Sequence, residues 1–98
     1  MITSKQRAYL RGLANGYETL FQVGKSGVTD TLIKQIEDAL KARELIKISV
    51  LQNCMEDTRA MAEVLAERTR SQVVQVIGRK IVLYREGKDE KKKIVLPK

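Results

Sequence analysis

The four residues Gly24-Lys25-Ser26-Gly27 are the part of this sequence best suited to chemistry. Glycine at both ends lets the backbone turn sharply and lets a bulky anion approach with no Cβ in the way, while Lys25 adds a point charge. The segment falls between a strand-like run and a helix start. Its backbone N–H groups and the helix dipole can therefore converge on a phosphate. Two glycines at this spacing also make an ordinary strand-to-helix turn, and it is the position in the chain that favours anion binding.

Other chemistries fit less well. Gly24-Lys25-Ser26 imitates the end of a nucleotide-binding P-loop, but that motif needs a further glycine where Thr19 stands. There is no His, which removes the ordinary nucleophile–base triads and leaves only a Ser–Lys pair open. Glu37 with Asp38, and Glu56 with Asp57, are adjacent carboxylates on helix-like segments, where a solvated charged face explains them. No catalytic residue is assigned, and no enzyme is expected. The single Cys54 cannot form an intrachain disulfide, and without His it leaves too few soft ligands for a structural zinc site. No metal or cofactor is called for. Cys54 itself reads as a small loop or core side chain.

The elements that must hold the loop are legible in the hydrophobic pattern. Thr3 followed by Gln6 has the form of a capping box, and Tyr9, Leu10, Leu13 and Ala14 recur at helical spacing, predicting a helix at about 4–15 with Tyr9 and Leu13 inward. Arg7 and Arg11 share one flank of it. Thr19 to Val23 reads as a short buried strand, and Thr29 caps a helix over 30–43, with Val28 placed to staple onto Ile33. A strand over 45–50 follows, then a helix over 56–69 whose apolar spacing runs through Ala60, Met61, Val64 and Leu65. Val73–Ile77 and Ile81–Tyr84 form a hairpin about Gly78. The rest of the chain is a basic tail at about 86–98, in which Ile94, Val95 and Leu96 can dock. The order α-β-α-β-α-β-β implies one compact α/β (α+β) domain, a mixed sheet carrying helices, with the strand order left open.

Charge narrows the partner. Nineteen Lys and Arg against twelve Asp and Glu give a net charge of +7, which favours a polyanion. The excess lies at the two ends of the chain. Residues 78–98 carry eight basic and three acidic groups, whereas residues 44–77 carry four and five. With 43% hydrophobic residues the chain has enough apolar content for a core. No stretch approaches the roughly 20 apolar residues of a membrane span, so a cytoplasmic monomer with no membrane partner is expected. The only aromatics are Tyr9, Tyr17, Phe21 and Tyr84, too few for base stacking of the RRM kind. KH domains do use a GXXG loop to clamp nucleic-acid backbone.

Four blocks together resemble the CRM domain, the chloroplast RNA splicing and ribosome maturation domain: Lys5-Gln6-Arg7-Ala8-Tyr9-Leu10-Arg11-Gly12-Leu13-Ala14, Gln22-Val23-Gly24-Lys25-Ser26-Gly27-Val28-Thr29, Glu44-Leu45-Ile46-Lys47 and Gln75-Val76-Ile77-Gly78-Arg79-Lys80-Ile81-Val82-Leu83-Tyr84-Arg85. The likeness spans nearly the whole chain and is closest to the stand-alone bacterial YhbY-like form. It implies a fold similar to the C-terminal domain of bacterial translation initiation factor three, with a mixed four-stranded sheet. It also implies binding to ribosomal RNA in precursors of the large ribosomal subunit, as an assembly factor. The expected RNA contacts are Gly24, Lys25, Ser26 and Gly27, supported by Lys5, Arg7, Arg11, Arg79, Lys80 and Arg85 on nearby surfaces. A DNA-binding or protein-adaptor module is the alternative.

Overall fold

The computed structural model describes residues 2–87 and 94–97. The chain runs α1 (Ser4–Ala14), β1 (Phe21–Val23), α2 (Asp30–Arg43), β2 (Leu45–Val50), α3 (Thr58–Thr69), β3 (Gln72–Ile77) and β4 (Lys80–Tyr84). The expected α-β-α-β-α-β-β order is therefore found. The four strands form one mixed sheet in the order β1-β2-β4-β3, with β1 parallel to β2 and the other two pairs antiparallel. β4 sits between β2 and β3, which leaves β1 and β3 as the edges.

Both faces of the sheet are covered, but unequally. Alternation along β2 sends Ile46, Ile48 and Val50 to one face, where they join Val23, Ile81 and Leu83 under α2 and α3. Leu45 points the other way and meets Val82, Tyr84, Leu10 and Ala14 under α1. β3 serves both cores through a bulge. Its register shifts between Val73 and Gln75, so that Val73 and Val76 both pack against the α2/α3 core while Val74 packs beneath α1.

Side-chain caps set the helix starts. Thr3 and Gln6 form the expected reciprocal box, and Thr29 Oγ1 accepts the Leu32 N–H at 3.1 Å. α3 starts later than its spacing predicts because Asp57 is its cap and accepts the Ala60 N–H at 2.9 Å. Its buried face is also rotated from expectation. Met61 and Leu65 are buried with Ala62, Ala66 and Thr69, whereas Ala60 and Val64 are exposed. The small Ala62 and Ala66 side chains let the helix lie close to the sheet. Tyr9 likewise does not turn inward: it is 43% exposed, about 100° around α1 from the fully buried Leu10.

At the far end of α2, Glu44 adopts φ +67° and is buried; its N–H donates to Leu40 O at 2.8 Å and its carboxylate accepts the Ile94 N–H at 3.0 Å. That bond anchors the C-terminal segment. Ile94 is buried and Leu96 packs beside it, while Val95 is 84% exposed. Gln6 Nε2 also donates to Pro97 O at 3.0 Å, which ties the segment to α1.

Candidate nucleic-acid interface

Gly24 to Gly27 closes as a tight turn, with the Gly27 N–H donating to Gly24 O at 3.0 Å. Gly27 sits at φ +66°, in the left-handed region that favours glycine. Its missing Cβ matters a second way, because a Cβ there would lie 2.5 Å from Glu56 Oε2. The N–H groups of Lys25 and Ser26 make no hydrogen bond among the described residues, and both side chains are exposed. The turn thus presents two unspent donors and one ammonium. The Glu56 carboxylate beside it works against an anion and weakens the local potential.

Three loops meet at this end of the sheet. Leu51 N–H donates to Val23 O at 2.8 Å, and Asn53 Oδ1 lies 3.5 Å from where a Gly24 Cβ would stand, so the 51–57 loop flanks the turn. The β3–β4 reversal joins them through the Val50 N–H, which donates to Arg79 O at 2.7 Å, and through Arg79 Nη1, which donates to Leu51 O at 3.0 Å. Gly78 makes that reversal at φ +56°. Lys80 Nζ reaches Ser49 Oγ at 3.3 Å. Arg79 and Lys80 are exposed and stand at the same end of the sheet as Lys25.

A second basic group gathers at the opposite edge. Arg7 and Arg11 from α1 and Arg59 from α3 line one cleft along β3, with Val73 to Val76 as its floor. Arg59 is absent from the residues expected on sequence alone. Its only signal is a positive charge at the start of a helix, and it joins the α1 pair only because β3 is an edge strand reached from both faces. The other two expected contacts stand apart. Lys5 is two positions from Arg7, about 200° around α1, and Arg85 follows the end of β4 opposite Lys80. The Lys88 to Lys93 run lies outside the described residues.

Away from this interface one buried group has a displaced titration. The Tyr84 phenol is pushed up to about 12, first by burial and then by the negative charges of Glu44 and Glu86. Its oxygen has no hydrogen-bond partner among the described residues. No described helix is long and apolar enough to cross a membrane, and no cluster of three or more His, Cys, Asp or Glu able to hold a metal occurs among the described residues.

Comparison with known proteins places this geometry in context. The family model of the CRS1 / YhbY (CRM) domain matches residues 2–85. The chain is 58% identical over 97 residues to a Bacillus subtilis protein described as "Probable RNA-binding protein YqeI", covering 99% of this chain and 100% of that one. It is 34% identical to a Haemophilus influenzae protein described as "RNA-binding protein", over 99% of this chain and 96% of that one. The solution structure of SAV1595 from Staphylococcus aureus superposes with a TM-score of 0.83 at 54% identity, covering 99% of this chain and 100% of that one.

Proposed function

The chain belongs to the CRS1/YhbY (CRM) domain family, and we propose that it binds RNA through the Gly24–Gly27 turn. Lys25, Arg79 and Lys80 neutralise backbone phosphates there, and Arg7 and Arg11 do so at the β3 edge. The observation that carries this reading is the turn itself: two uncommitted N–H donors and a lysine at the end of the sheet where Arg79 and Lys80 are also exposed. Lys5 and Arg85, placed elsewhere, add to the overall attraction for a polyanion. The names of the relatives support RNA as the ligand. The protein is a binding module and performs no turnover.

The preferred target is ribosomal RNA in precursors of the large subunit, where a small basic domain acts as an assembly factor in the cytoplasm. Sedimentation of a cell lysate with and without mild RNase tests this. Comigration with large-subunit precursors, abolished by RNase, is the expected result; migration only at the top of the gradient contradicts the ribosomal assignment. At the molecular level, Lys25→Ala is expected to weaken RNA binding and to reduce the slope of log K against log salt by about 0.7 to 0.9. Unchanged affinity and slope remove Lys25 from the site.

A further inference from the structure

We propose that the uncovered half of the sheet face on the α1 side reads the bases of single-stranded RNA. This rests on the RNA-binding reading above and extends it from backbone grip to sequence discrimination. α1 and the C-terminal segment cover Leu45, Val74, Val82 and Tyr84 on this face. Nearer the Gly24–Gly27 turn, nothing among the described residues covers it.

What remains bare is a row across all four strands. Gln22 pairs in register with Ser49, Ser49 with Lys80, and Lys80 with Ile77. All four side chains point to the α1 side, because their neighbours Val23, Ile48, Val50, Ile81 and Val76 go to the α2/α3 core. Gln22 and Lys80 are exposed, Ser49 is half-buried, and Ile77 is 59% exposed. A singly exposed isoleucine is unremarkable. Here it completes a row that begins at the residue two before Gly24 and ends at the strand bearing the arginine cleft.

The chemistry of the row selects the occupant. Cations stand towards both edges: Lys25 follows Gln22 by three residues at the β1 edge, Arg7, Arg11 and Arg59 line the cleft along Val73–Val76 of the strand that carries Ile77, and Lys80 lies between them. A polyanion crossing the sheet meets positive charge along its path. Four strands span about 14 Å, a width on which RRM sheets seat two or three bases. The Gln22 amide can donate and accept at one base edge, the Ser49 hydroxyl can do either, and Ile77 offers an apolar contact to a base face. With no aromatic in the row, discrimination comes from the hydrogen bonds of Gln22 and Ser49 and the apolar contact of Ile77 rather than from aromatic stacking. Base edges in a duplex are paired, so the strand must be single.

The test compares binding of the whole protein to short homopolymeric RNAs of adenosine, cytidine and uridine, with salt titrations. The wild-type protein is expected to prefer one base by about fivefold or more. Gln22→Ala and Ile77→Ser, both at exposed positions, should reduce that preference to within about twofold and leave the salt slope intact. Lys25→Ala should weaken all three complexes and lower the slope while the preference survives. A wild-type protein without base preference, or a preference that survives both row substitutions, overturns the proposal. Binding of folded RNA without binding of any homopolymer also overturns it and leaves the RNA-binding reading standing. Failure to bind any RNA ends both.

Discussion

At the scale of single residues the turn carries two opposed features, and each can be separated by substitution. Gly27→Ala meets a backbone at φ +66° and the Glu56 carboxylate at 2.5 Å, so it is expected to destabilise the fold by about 1 kcal/mol. The denaturant midpoint checks this; in a Glu56→Ala background the loss should shrink to the backbone contribution alone. Glu56→Gln removes a negative charge from beside the turn proposed to hold phosphate, without removing bulk. RNA affinity is expected to rise, by up to about fivefold at low salt, with the gain shrinking as salt screens it. No change in affinity at low salt would place the phosphates away from Gly27. The glycines and Lys25 were legible in the sequence because their spacing and position are local. Glu56 and Arg59 were not, since each comes to its site through a loop or strand edge that only the assembled sheet defines.

At the scale of elements, the caps of α1 and α2 are the most legible signals, and the second also positions the site. Thr29 both starts α2 and fixes the exit from the turn, so Thr29→Ala should cost about 1 kcal/mol of stability and weaken RNA binding as well. Thr3→Ala, which removes the corresponding cap from α1, should cost a similar amount without the same loss of binding. Equal effects of the two on binding would mean that general stability, not the turn, governs affinity. The spans of α2 and β2 follow from pattern alone and are found where the spacing predicts them. The inward faces of α1 and α3 are less legible. Tyr9, Ala60 and Val64 obey helical spacing, yet they lie exposed, because Leu10, Ala62 and Ala66 lie at the centre of the packed stripe. β1 is shorter than its β-rich run, with Leu20 keeping one bond to Lys47 O at 2.8 Å outside the strand. Strand order depends on β4 entering between β2 and β3, a long-range pairing that no local pattern encodes.

At the scale of the whole molecule, the two cores lie on opposite faces of the sheet, with the Gly24–Gly27 turn at one end of the strands and a buried end opposite. The buried end holds Tyr84, Glu44 and Ile94 together. A phenol whose pKa rises from 10.0 to about 12 on folding keeps its proton more tightly in the folded state. Its contribution to stability is therefore complete below the unfolded pKa of about 10 and is lost as pH rises through about 12. Tyr84→Phe keeps the ring and deletes the unpartnered oxygen, so it should leave stability at neutral pH unchanged or raise it by about 1 kcal/mol. Relative to wild type it should also flatten the alkaline decline; parallel pH profiles for the two proteins would refute this. The cluster that holds Tyr84 does not border the Gly24–Gly27 turn, so RNA affinity should be unaffected by that substitution. The central claim concerns the other end, and titration of the isotopically labelled protein with RNA, followed residue by residue through its amide resonances, tests it most directly. The largest shifts are expected at Gly24 to Gly27 and at Arg79 and Lys80. Shifts confined to the Tyr84 and Arg85 end of the sheet, or no shifts at all, would contradict the account.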